Sequence, residues 1–279
     1  MKQLYTELSF SCSKLVTKKY STSFSSAVRM LSPKIRSAIY SVYGFVRFAD
    51  EIVDSFHEHN QQDLLKDFED NYYEAHKNNI SLNPILHSFQ KTVKKYNIED
   101  DLIQAFLKSM RADLHKTTYY NKKDYEEYIY GSADVVGLMC LKIFTNGDID
   151  KYNALKAPAM RLGSAFQKVN FLRDIKEDYE VLNRSYFPNV NLKQLSPEDK
   201  LNIIEEIKED FKEAYKGVVK LPLESRFGVY TAYRYYLKLL RKLERTPSSQ
   251  IMDTRIRISD LMKFNLLAKS FIRYKLNIL

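Results

Sequence analysis

Apolar side chains recur every three or four positions along almost the whole 279-residue chain, which is the spacing of one helix face and not the alternation of a strand. The pattern predicts helices at about 3–16, 22–30, 34–56, 61–77, 83–96, 99–117, 123–145, 151–180, 197–217, 222–245 and 256–276, each end placed to within ~2–4 residues. Local signals mark several starts. Ser32 precedes Pro33, and SPEDK at 196–200 supplies Ser196 as N-cap, Pro197 at the first helical position and acids in the first turn. With only 7 Gly and 7 Pro, the chain has few places for tight turns, which favours long helices over many short strands. NRSYFPNVNLKQL, 183–195, is the one long connection that reads as irregular, and neither a linker nor a repeat divides the chain. The expected fold is all-α, one domain over 1–279, a helical bundle.

Composition adds modest constraints. At 44% hydrophobic and 28% charged the chain reads as globular. Cys12 and Cys140 give neither a disulfide framework nor metal spacing, which suggests a reducing compartment. The first twenty residues lack a signal-peptide pattern, and the apolar run VVGLMCL falls short of the ~18 residues of a spanning helix, so a cytoplasmic location is expected. A net charge of +9 fits nucleic acid, an anionic membrane or a multiply anionic substrate. Nucleic acid is not expected as a partner, since zinc-finger spacing, aromatic RNA-binding signatures and a long basic tail are all missing. The C-terminal stretch from Arg255, with Arg257, Lys263, Lys269, Arg273 and Lys275 among apolar residues, fits either a core-packed last helix or a peripheral contact with the inner membrane face. The five histidines read as solvated or structural, and no Ser/His/Asp or Cys/His arrangement stands out.

Two helix faces carry the chemistry. On a wheel of about 100° per residue, Tyr43, Arg47, Asp50 and Asp54 share a sector of about 60°, with Phe45, Phe48, Ala49 and Ile52 mostly on the far side. Gln167, Asn170, Asp174 and Asp178 likewise share about 80°, away from Val169, Leu172 and Ile175. Asp and Asn place short, hard oxygen donors ~6 Å apart on successive turns. Mg²⁺ favours one or two carboxylates plus water and phosphate oxygens over a complete protein cage. Two such faces across a cavity could hold several Mg²⁺ ions and grip a leaving diphosphate. A single i,i+4 Asp pair is ordinary surface decoration; two pairs with matching neighbours on apolar helices are not.

NFLRDIKEDYEVLNRSYFP, 170–188, resembles the second signature of the squalene and phytoene synthases, through Asn170, Arg173, Asp174, Glu177, Asp178, Arg184, Tyr186 and Pro188. RFADEIVD resembles the family's first aspartate-rich motif, KYSTSFSSAVRML its substrate-binding segment, and YIYGSADVVGLM, 128–139, its Tyr-containing middle motif. The resemblance implies an isoprenoid-synthase bundle around an apolar cavity, joining two allylic isoprenyl diphosphates head to head. By that resemblance Asp50, Asp54, Asn170, Asp174 and Asp178 are the Mg²⁺ ligands, with Mn²⁺ an alternative. Tyr20, Ser21, Thr22, Ser23, Tyr43, Arg47, Gln167 and Arg173 are diphosphate or substrate contacts, and Tyr130 matches the reaction-centre tyrosine. The chain departs from the pattern at Glu51, where many members have Asp, at Val169, where Thr is common, and at Asp134, which lies either near the cavity or facing elsewhere.

The implied reaction ionises one substrate to an allylic cation, forms a cyclopropylcarbinyl diphosphate with the second, and then ionises, rearranges and loses a proton. Water would quench such cations, so the cavity must close. The middle motif looks most like bacterial phytoene synthases. The expected reaction is therefore two geranylgeranyl diphosphates to phytoene, with no NADPH. Dehydrosqualene or squalene formation from farnesyl diphosphate, or a non-catalytic assembly protein of the same fold, are the alternatives.

Overall fold

The computed structural model describes residues 1–188, 190 and 195–276. Among the described residues thirteen α-helices follow in order: α1 (Lys2–Tyr20), α2 (Thr22–Val28), α3 (Pro33–Ser55), α4 (Gln61–Asn78), α5 (Pro84–Tyr96), α6 (Asp100–Asp113), α7 (Lys122–Ile129), α8 (Val135–Thr145), α9 (Ile149–Glu180), α10 (Pro197–Val218), α11 (Leu223–Arg245), α12 (Ser248–Asp253) and α13 (Asp260–Lys275). A π-helical turn, Tyr130–Asp134, joins α7 to α8. Among the described residues the one β-type pairing is an isolated bridge between Thr118 and Ser185. Of the irregular connection expected at 183–195, residues 189 and 191–194 lie outside the described residues, as do 277–279.

Helix ends follow local chemistry. Ser196 Oγ accepts from Asp199 N at 3.0 Å, Asn60 caps α4 and Asn83 caps α5. Asn79, Asn97 and Asn146 close α4, α5 and α8 at φ of 60°, 49° and 50°, the left-handed C-terminal geometry that asparagine tolerates.

The expected uninterrupted helix at 123–145 is where the structure differs most. Its middle widens into the π turn, and Gly131 permits this: a Cβ there would lie 2.7 Å from Ala105 O and 2.9 Å from Ser109 Cβ of α6. Within Lys122–Thr145 an 18-residue window reaches the mean hydropathy of a membrane span (1.2), yet 61% of that window is buried within the bundle. Short α12 was not expected, and α1 runs four residues beyond its expected end at 16.

Two hydrophobic clusters flank a cleft. One joins α3, α4, α5, α6 and α8 around Phe45, which is fully buried and stacked on Phe89 with ring centroids 4.0 Å apart. The other joins α7, α9, α10 and α11 around Val169, Leu172, Ile207 and Phe211, with Phe171 stacked on Tyr186 at 3.9 Å. Phe45 and Ala49 (0%) and Ile52 (8%) point into the first cluster, and Val169 and Leu172 (0%) and Ile175 (2%) into the second. The polar faces of α3 and α9 are thereby turned to the cleft between the clusters.

Candidate active site

On the α3 side, Tyr43, Val46, Arg47 and Asp50 line a cavity of about 170 Å³, closed by Phe106, Met110, Tyr128, Ser132 and Gln167. Arg47 spans one turn to form ion pairs with both Asp50 and Glu51. Its guanidinium carries the Tyr20 ring at 4.4 Å. Glu51 is thus engaged by Arg47, the residue one turn before it. Asp50 keeps 34% of its side-chain surface open to solvent, but it sits deep in the cleft. Burial there, with the Asp54 carboxylate beside it, pushes its pKa up to about 7 against the pull of Arg47 and Arg184.

On the α9 side, Gln167 Nε2 donates to Ser132 Oγ at 3.2 Å, and Asn170 Oδ1 accepts from Tyr236 of α11 at 3.3 Å. Arg173 forks onto Asp174, with Nε at 2.9 Å from Oδ1. Arg255, in the segment between α12 and α13, reaches the same carboxylate at 2.8 Å and Glu177 at 3.4 Å. Burial, then Asp174 and Asp54, push Asp178 up to about 8, with Arg184 opposing.

Gln167 of α9 lines the same cavity as Tyr43, Arg47 and Asp50 of α3, and Asp54 raises Asp178 as well as Asp50, so the acidic faces of α3 and α9 meet. Arg184, just past the end of α9 and 5% exposed, joins them. Its Nη1 lies 2.6 Å from Asp54 Oδ1, and its Nη2 donates to Val53 O at 3.3 Å and Asp113 O at 3.2 Å. Asp113 of α6 is a fifth aspartate in this neighbourhood. Burial pushes it up to about 7, its Oδ2 accepts from Tyr128 at 2.8 Å, and its Oδ1 is buried without a partner.

The structure places Asp50, Asp54, Tyr43, Arg47, Gln167, Asn170, Arg173, Asp174 and Asp178 in one neighbourhood. Ser21 caps α2 through Phe24 N at 3.2 Å, and the Phe24 ring stacks on Tyr43 with centroids 4.9 Å apart, which brings α2 beside the Tyr43–Arg47 turn; Thr22 is exposed and Ser23 half-buried. Tyr20, 47% exposed, reaches the site through Arg47.

Tyr130 is 37% exposed and is not among the residues that line this cavity. Tyr128, two residues earlier and 6% exposed, lines it, as does Ser132 within the π turn. Asp134 faces away, buried and accepting from Ser164 at 2.8 Å, while burial pushes it up to about 7.

Sequence reading missed Asp113, Tyr128, Tyr236 and Arg255 as site residues. It named Arg184 within a motif but gave it no role. Tyr236 is one of 21 tyrosines and Arg255 lies 81 residues beyond Asp174, so neither carries a local signal.

The donor set fits Mg²⁺. Among the described residues no group of three or more His, Cys, Asp or Glu side chains forms a metal cage by itself. Mg²⁺ does not require one, because it takes one or two carboxylates and completes its shell with water and phosphate oxygens. Asp50 and Asp178, both raised by burial beside other carboxylates, form a site with surplus acid that a cation would relieve. Asp50 and Asp54 from α3, with Asn170, Asp174 and Asp178 from α9, would hold it.

Residues 17–261 match the family model for squalene/phytoene synthase. The chain is 30% identical over 250 residues to phytoene synthase 1, chloroplastic, of Solanum lycopersicum, covering 82% of this chain and 60% of that protein. It is 28% identical over 253 residues to 15-cis-phytoene synthase of Enterobacter agglomerans, covering 80% of this chain and 82% of that one. Among solved structures, a ligand-bound dehydrosqualene synthase superimposes with a TM-score of 0.83 at 23% identity over 98% of both chains. Squalene synthase HpnC from Alicyclobacillus acidocaldarius gives 0.76 at 20% identity, over 87% of this chain and 95% of that one. With motifs in order, the helical architecture matched and the two acidic faces opposed across one cleft, the chain belongs to the squalene/phytoene synthase family.

Proposed function

We propose that this protein is a Mg²⁺-dependent head-to-head prenyltransferase that converts two geranylgeranyl diphosphates to phytoene, in carotenoid biosynthesis, without NADPH. The observation that carries the proposal is the meeting of the α3 and α9 carboxylates around Asp54, on the polar side of a cavity with Val46, Phe106 and Met110 in its wall. The curated relatives named phytoene synthase support the choice of product.

When bound, Mg²⁺ supplies Lewis-acid charge that draws diphosphate from its allylic carbon. The chain's own residues do the rest. Arg47 and Arg173, each already braced by a carboxylate, offer forked donors matched to phosphate oxygens. Tyr128 presents a hydroxyl anchored on Asp113 to the cavity, and the apolar wall keeps water from the cationic intermediates. In this reading the cyclopropylcarbinyl diphosphate stays in the same cavity through the second ionisation.

A wholly apolar product also needs an exit. Leu261 and Ile272 of α13 and Leu276 just after it, 73%, 56% and 62% exposed, with the exposed Lys269, suit a peripheral contact at the inner membrane face of a cytoplasmic enzyme. Vesicle flotation with and without residues 256–279 tests this contact; unchanged binding argues against it.

The test of function is direct: incubate the purified protein with Mg²⁺ and either geranylgeranyl or farnesyl diphosphate, with and without NADPH, and identify the hydrocarbon. Phytoene from the C20 substrate without reductant is expected. A C30 product alone would move the assignment to dehydrosqualene or squalene synthesis, and no product from either would favour a non-catalytic member of the fold.

A further inference from the structure

Helix α1 turns its polar side inward. Ser9, Ser13 and Thr17 are each 0% exposed. Ser13 Oγ meets Ser88 Oγ of α5 at 2.7 Å, and a Cβ on Gly44 of α3 would lie 3.1 Å from Ser13 Oγ. Small residues and hydroxyl bonds thus seat α1 closely on α3 and α5. The leucines point the other way: Leu4, Leu8 and Leu15 are 68%, 56% and 58% exposed. With exposed Ser11 they fall within about 60° of the wheel.

Their spacing of four, three and four is that of a coiled-coil seam, with Leu8 and Leu15 at one core position of the heptad and Leu4 and Ser11 at the other. The packing of the fold makes no use of this stripe. We infer that α1 pairs with α1 of a second copy of this chain, antiparallel about a two-fold axis.

Charge selects both the partner and the direction. Exposed Glu7 and Lys14 occupy equivalent positions on one edge of the stripe, one heptad apart. In a parallel pair, Lys14 would face Lys19 of the second copy and Glu7 would face Cys12. In the antiparallel pair, Glu7 faces Lys14 of the second copy and Lys14 faces its Glu7, so the two-fold axis repeats each favourable contact. Leu4 then opposes Leu15, and Leu8 opposes the small Ser11, again twice. An anionic lipid surface fits α1 less well, because Glu7 lies on the edge that would meet the headgroups.

The test uses the full chain and four variants: Glu7→Lys, Lys14→Glu, the double reversal, and Leu8→Asp. All sit at exposed positions, and circular dichroism checks that each stays helical. Sedimentation velocity over a wide concentration series should move the wild type from monomer to dimer. Each single reversal places two like-charge contacts in the pair and should weaken dimerisation by at least about tenfold. The double reversal should restore it, and Leu8→Asp should abolish it. The inference is overturned by a wild type that stays monomeric throughout, by a dimer indifferent to both single reversals, or by Leu8→Asp abolishing flotation with phosphatidylglycerol vesicles while the wild type does not self-associate.

Discussion

Replacing Arg184 by Ala removes a side chain, just past the end of α9, that touches both α3 and α6. The guanidinium is 5% exposed, and three acceptors lose their donor: Asp54 Oδ1 at 2.6 Å, Val53 O at 3.3 Å and Asp113 O at 3.2 Å. Breaking a buried ion pair from one side costs about 3–5 kcal/mol, because the remaining charge stays buried without its partner. That is a large share of the ~5–15 kcal/mol that holds a native protein together. Arg184→Lys keeps the charge and loses the fork, which should cost less, about 1–3 kcal/mol for the bonds an ammonium cannot reach.

The loss should also depend on pH. Arg184 lowers Asp50, Asp113 and Asp178, whose burial raises them to about 7, 7 and 8. At pH 5 these carboxyls are mostly protonated, and the cation has less charge to hold; at pH 8 most are ionised. Urea unfolding followed by helical circular dichroism should therefore show Arg184→Ala more damaging at pH 8 than at pH 5. A variant within about 1 kcal/mol of wild type at pH 8 would refute the bridging role.

Three further outcomes follow from the same geometry. Tyr128→Phe should lower turnover and cost about 1–3 kcal/mol, since Asp113 Oδ1 has no partner and Oδ2 would lose its only one, whereas Tyr130→Phe should leave both nearly unchanged; steady-state kinetics and unfolding curves of the pair decide it. In metal-free buffer the folded state holds protons on Asp50, Asp113 and Asp178 that the unfolded chain, with an ordinary carboxyl value of 3.8, has released, so stability should fall as pH rises from about 4 to about 8, with a shallower slope in Asp178→Asn. By the same linkage, adding Mg²⁺ near pH 7 should release protons measurable in weakly buffered solution, and Asp178→Asn should reduce that release.

Much of this was legible in the sequence because α3 and α9 are strongly two-faced. Phe45, Ala49 and Ile52 against Asp50 and Asp54, and Val169, Leu172 and Ile175 against Asn170, Asp174 and Asp178, leave a single way to bury each helix. The π turn was not legible. YIYGSADVVGLM keeps an apolar pattern that a regular helix would also satisfy, and the cue lies in the backbone of α6 against Gly131, which no local pattern reports. Tyr128, just before the turn, and Ser132, within it, both line the cavity. In helix α1, close packing through Ser9, Ser13 and Thr17 leaves the leucines outside, which the apolar periodicity alone does not report. The contributions of Arg184, Tyr236 and Arg255 depend on tertiary approach, and wheels drawn for single helices cannot supply that.

In the proposed reaction both acidic faces act on one leaving group. Diphosphate release from geranylgeranyl diphosphate in Mg²⁺, measured for wild type, Asp50→Asn on α3 and Asp174→Asn on α9, tests this most directly. Each single substitution should abolish release while the helical circular dichroism spectrum stays unchanged; substantial release by either variant would contradict the shared site.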